Sequence, residues 1–125
     1  MRTQKTSPLS VDVIVVGAGF AGMYMLYYLR KKGLSAKVLE AGDDVGGTWY
    51  WNRYPGARCD VESIAYSYSF DEGLQQDWNW SSKFSYQPEI LAYLRRVADR
   101  FDLKPDIVLN TRVVAANYEE TVNAW

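Results

Sequence analysis

Val11-Asp12-Val13-Ile14-Val15-Val16-Gly17-Ala18-Gly19-Phe20-Ala21-Gly22 is the stretch that settles the fold. A β-branched apolar run that ends at a glycine reads as a buried parallel strand. The Gly-x-Gly-x-x-Gly that follows reads as a strand-to-helix turn able to hold a dinucleotide. Gly17 allows the tight turn, Gly19 lets a pyrophosphate approach the backbone, and Gly22 lets the helix pack closely on the strand. The N–H groups and the positive dipole end of that helix then face the phosphates.

Working outward, the sequence predicts a helix from Phe20 to Lys32, with Ala21, Met25, Leu26 and Leu29 as its apolar stripe and Gly33 as its stop. Ala36-Lys37-Val38-Leu39-Glu40 reads as a second strand. Strand, helix and strand have the length of a right-handed parallel crossover, so the fold class is α/β, of Rossmann type. Glu40 ends the second strand, where an acid accepts hydrogen bonds from an adenosine ribose. A carboxylate there repels a 2′-phosphate, so FAD or NAD suits this first site better than NADP.

Composition narrows the function further. The 14 basic and 15 acidic residues nearly cancel and neither sign gathers in a block, which gives no basis for a nucleic acid or anionic membrane partner. The single cysteine, Cys59, and the absence of His argue against an internal disulfide and against a multi-cysteine or histidine metal site. Residues 1–10 are polar, without the apolar segment of a signal peptide or anchor, and are expected to be a flexible arm of a reducing, cytoplasmic protein. Residues 11–125 are expected to form the domain, and the 48% apolar content of the whole sequence is enough for a core.

Between residues 41 and 63 lies a long segment rich in glycine and large aromatics, with no sustained period. Loops of that length are functional or disordered, and the aromatics favour function. Ile64 to Phe70 alternates loosely, as a short strand would, and Asp71 to Lys83 reads as turns with one helical turn. Pro88 opens an amphipathic helix carrying Ile90, Leu94, Val97 and Phe101. Ile107-Val108-Leu109 and Val113 to Tyr118 read as strands, and Glu119 to Asn123 as a hairpin turn leading to another strand near Trp125. Trp78 and Trp80 read as packing residues.

The rarest pattern is Gly46-Gly47-x-Trp49-x-x-x-Arg53-Tyr54-Pro55-Gly56-x-x-x-Asp60. It resembles the FAD-domain signature of type I Baeyer-Villiger monooxygenases, notably the branch acting on phenylacetone and cyclohexanone, and the chain from Val11 to Trp125 is similar to their N-terminal segment. The resemblance implies FAD and NADP(H) as cofactors, with a ketone, O₂ and NADPH giving an ester or lactone through a C4a-peroxyflavin. It implies that Gly17, Gly19 and Gly22 hold the FAD pyrophosphate and Glu40 the ribose, that Thr48, Trp49 and Trp51 run along the cofactor, and that Val113 meets the adenine region through its backbone. Asp60 and Tyr66 would approach the flavin, while Arg58, Cys59 and Asp60 would border the nicotinamide cofactor. Asp60 is the catalytic candidate, as partner of an arginine that the family carries far downstream. A second Gly-x-Gly-x-x-Gly and the family's His-containing fingerprint are absent, so the chain is expected to be the N-terminal part of such an enzyme, inactive without the remainder. Two alternatives stand beside this: an N- or S-oxygenating flavin monooxygenase, and a non-catalytic FAD-binding or assembly module. From the residues alone, Arg53 is open between an ion pair holding the loop and a cofactor contact, and Asp60 between a cap and a functional acid.

Overall fold

The computed structural model describes residues 9–125, so the arm expected over residues 1–10 lies almost wholly outside the described residues. Strand β1 (Val13–Val16), helix α1 (Phe20–Lys31) and strand β2 (Ala36–Leu39) form the expected crossover. Short helices α2 (Thr48–Trp51) and α3 (Glu72–Asp77) follow, then the long helix α4 (Gln87–Arg100) and strand β3 (Ile107–Val108). The strands are parallel in the order β1-β2-β3. The register pairs Val13 with Ala36 and Val15 with Val38, so these four side chains share one face of the sheet. Against it pack Met23 and Leu26 of α1 and Ile90, Tyr93 and Leu94 of α4, all fully buried.

The other face of β1 departs from the expectation of a strand buried on both sides. Ile14 is 48% and Val16 66% exposed, because no layer of described residues covers them. The apolar stripe of α1 is also turned from the expected one. Ala21 and Met25 are exposed, and Gly22, Met23, Leu26 and Leu29 face inward. Gly22 sets that rotation: it lies so close to the Gly17 carbonyl oxygen that a Cβ there would overlap it, and its other neighbour is Val15. The residues at i+4 and i+7 follow it into the core.

Ile64 to Phe70 is not a strand. Ser63–Tyr66 forms a 3₁₀ turn whose buried Ser63 hydroxyl lies 2.8 Å from both the Ser82 carbonyl and the Ser85 hydroxyl. The following Tyr68 donates its hydroxyl to the Phe20 carbonyl, and its backbone N–H donates to the Tyr93 hydroxyl at 2.8 Å rather than to a strand. Trp78 and Trp80 pack edge-on with centroids 5.6 Å apart, and both meet Tyr93. Val113 to Tyr118 is likewise irregular and mostly exposed, since no strand among the described residues offers it an edge. The turn after it is present, closed by a bridge between Glu119 and Ala124.

Candidate dinucleotide site

At the carboxyl ends of β1 and β2, where parallel α/β sheets place their ligands, lies a cleft of about 390 Å³. Gly17, Gly19, Glu40, Gly47, Thr48, Trp51 and Val113 line it, among others. The volume is at the small end of the roughly 300–1,000 Å³ typical of ligand pockets, enough for part of a dinucleotide. Gly17 has φ +95°, a left-handed conformation that side chains rarely adopt. Helix α1 starts beside it with no side-chain cap and no acid in its first turn, while Arg30 and Lys31 sit in its last turn. Its positive end is therefore left for an anion from elsewhere.

Glu40 is only 4% exposed and its carboxylate is gripped from two sides. Oε2 accepts from the Ala18 N–H and Oε1 from the Gly42 N–H, each at 2.7 Å. Each oxygen keeps a lone pair for a hydroxyl donor. The glycine loop and the aromatic loop are joined here as well: Gly46 N–H donates to the Ala18 carbonyl at 2.9 Å, and a Cβ on Gly47 would stand 2.9 Å from the Gly19 Cα. Gly47 itself has φ +53°.

Of the residues named from sequence, Gly17, Gly19, Glu40, Thr48, Trp51 and Val113 share this cleft. Gly22 sits behind it in the helix-strand contact. Trp49 is buried, its ring edge-on to Tyr66 at 5.6 Å. Arg58, Cys59, Asp60 and Tyr66 lie outside the cleft wall. Arg58 lies 4.4 Å over the Tyr86 ring and donates to the Phe84 carbonyl at 2.9 Å. Cys59 is buried, with its N–H on the Ser85 carbonyl at 3.0 Å, and Asp60 is exposed. Burial pushes the Tyr66 hydroxyl pKa up, and Cys59 and Asp60 nearby add to the effect. Arg53 donates to the Tyr50 carbonyl at 2.7 Å and covers its ring, so its visible task is to hold the loop.

Three cleft residues carry no sequence signal: Asn52, Thr111 and Arg112. The last two arrive by a turn after β3, where Asn110 adopts φ +52°. The Asn110 N–H donates to the Gly42 carbonyl and the Thr111 N–H to the Glu40 carbonyl, both at 2.8 Å, which folds the segment across the end of β2.

The cradle, its unpaired helix end and its doubly held acid define a nucleotide-binding Rossmann unit, and residues 15–97 match the NAD(P)-binding Rossmann-like domain model. The chain belongs to that family. Within it, the relatives include Baeyer-Villiger monooxygenases, to whose N-terminal part the chain corresponds. The acetone monooxygenase (methyl acetate-forming) of Gordonia sp. (strain TY-5) is 47% identical over 119 residues, 95% of this chain and 22% of that enzyme. A steroid monooxygenase solved in oxidised form with NADP is 61% identical, with TM-score 0.89 over 90% of this chain and 22% of that one. OTEMO in complex with FAD and NADP is 46% identical, with TM-score 0.85 over 92% of this chain and 22% of that one. A phenazine N-monooxygenase is also among the relatives. The chain spans less than a quarter of the length of the curated relatives it matches, 23% and 22% for two of them.

Proposed function

We propose that this chain forms the adenosine and pyrophosphate end of an FAD site in a Baeyer-Villiger monooxygenase, which turns a ketone, O₂ and NADPH into an ester or lactone. The observation that carries it is Glu40, buried at the cleft with both carboxylate oxygens fixed by backbone N–H groups. Gly17 and Gly19 leave room for a pyrophosphate against the backbone, and the uncapped start of α1 offers it N–H donors. Bound FAD would supply the two-electron chemistry with NADPH and O₂. Thr48 and Trp51 would lie along it, Val113 near its adenine end, and Asp60 and Tyr66 toward the flavin. Arg58 and Cys59 would border NADP(H), with Trp49 and Gly22 supporting the walls from behind.

Asp60, exposed and acidic, is the catalytic candidate in this reading: a carboxylate able to hold and orient a cationic side chain from the rest of the enzyme at the site where negative charge develops. The uncovered Ile14 and Val16 suit a chain completed by further polypeptide, the partner expected for it. Its lone buried Cys59 suits a reducing, cytoplasmic setting. N-oxygenation is a second reading, favoured by the phenazine-oxidising relative. Glu40→Gln tests the site directly. It keeps the shape but exchanges one acceptor oxygen for a donor, and FAD affinity should fall at least tenfold by equilibrium titration, since hydrogen bonds to charged groups contribute about 1.5–3 kcal/mol. Undiminished affinity would refute the assignment.

A further inference from the structure

Arg112 lines the same cleft as Glu40, is exposed, and forms no ion pair among the described residues. The turn at Asn110 and the Thr111 N–H bond to the Glu40 carbonyl fix its backbone beside the end of β2. The sheet runs β1-β2-β3. A nucleotide whose phosphates sit at the β1 glycines and whose ribose sits at Glu40, ending β2, must carry its base onward toward β3, because phosphate, ribose and base are joined in that order. The segment that follows β3 begins with Asn110, Thr111 and Arg112. Arg112 is the one basic residue among those that line the cleft.

We propose that Arg112 is the adenine-binding side chain of the cleft, its planar guanidinium lying face-on against the base of the dinucleotide. This rests on the cleft being a dinucleotide site. A guanidinium suits the task, being planar, permanently charged and weakly hydrated, so that it stacks on a π-face at small desolvation cost. Pairing with the pyrophosphate is the competing role, and the sheet order places that group at the far strand.

The test is calorimetric titration of the enzyme that carries this segment, freed of FAD, with ADP and with FAD, comparing the wild type with Arg112→Ala, Arg112→Lys and Arg112→Tyr. Circular dichroism melts of each variant should match wild type, as expected of substitutions at an exposed position. Arg112→Ala should weaken both ligands by about threefold to thirtyfold. Arg112→Tyr, which restores a flat surface without charge, should recover most of that loss, and Arg112→Lys, which restores charge without the plane, should recover little. The proposal is overturned if Arg112→Ala binds as well as wild type, or if Lys restores affinity and Tyr does not, which would place the charge on phosphate. If that wild-type enzyme binds neither ADP nor FAD, the dinucleotide reading falls and this inference with it, whereas tight wild-type binding unaffected at Arg112 would overturn the inference alone.

Discussion

Gln87 offers the sharpest test of how the aromatic loop is held. It begins α4, is 7% exposed, and reaches into the loop from two atoms. Its backbone N–H donates to the Ala57 carbonyl at 2.8 Å, and its side-chain amide donates to the Trp49 carbonyl at 2.5 Å. Helix α2 is a single turn of four residues, too short to satisfy its own carbonyls, so that of Trp49 depends on this amide. Gln87→Ala leaves the main-chain bond intact but strands a buried acceptor, which costs about 1–3 kcal/mol. Urea unfolding followed by tryptophan fluorescence should therefore show a loss near about 2 kcal/mol with an unchanged m-value. Gln87→Glu adds a signature that simple loss of packing lacks. When charged, the introduced carboxylate faces the Trp49 carbonyl with no proton to give; when protonated, it can donate. Burial and that repulsion raise its pKa in the folded state above the unfolded value of about 4.3. Its stability is then greatest below the unfolded pKa and falls as pH rises through the folded one. Relative to the alanine variant, the glutamate variant should gain on acidification. A cost below about 0.5 kcal/mol for alanine, or a glutamate variant with the pH dependence of wild type, would refute this account.

Hydrogen bonds from Lys37, and then Arg30, hold the Asp106 carboxyl below its usual pKa. Its stabilisation is thus present above the unfolded pKa of about 3.9 and is lost as pH falls through the lower folded value. Asp106→Asn should cost about 1 kcal/mol at neutral pH in urea melts, and the gap to wild type should close in strong acid. Asp60→Asn should leave the melting temperature unchanged, as expected of an exposed side chain, yet lower ketone oxygenation in the enzyme that carries this segment; full activity would remove Asp60 from the catalytic machinery. Gly22→Ala should destabilise the fold by about 3 kcal/mol or more in urea melts, or prevent soluble expression, because its Cβ would overlap the Gly17 carbonyl oxygen and one of the two backbones would have to shift.

The crossover was legible because its signals are local. Val13 to Val16 is an unbroken β-branched run that ends at a glycine, and Gly33 stops α1 within its own sequence neighbourhood. The rotation of α1 was less legible, since Ala21 and Met25 look as apolar as Gly22 and Met23, and only the contact of Gly22 with Gly17 decides between them. Ile64 to Phe70 and Val113 to Tyr118 have strand-like composition, but a strand exists only beside another edge. The Ser63 hydroxyl found Ser82 and Ser85 instead, and Val113 onward found no edge. In the cleft, Gly17, Gly19 and Glu40 announce themselves by spacing. Thr111 and Arg112 do not, since they reach the site through a left-handed turn at Asn110 and two backbone hydrogen bonds to residues near the end of β2. Gln87 was hidden in the same way, its polar side chain reading as an ordinary helix start before Pro88.

The contact between Gly19 and Gly47 joins two signatures that look independent in sequence. A side chain on Gly47 would press within 2.9 Å of the Gly19 Cα, and one on Gly19 within 3.4 Å of the Gly47 Cα. Neither loop can therefore be varied as though the other were absent. A mutational library confined to the aromatic loop would be filtered at position 47 by a backbone it never touches. Substitutions there would become tolerable only with a compensating shift of the nucleotide turn, so the two motifs behave as a single mechanical unit.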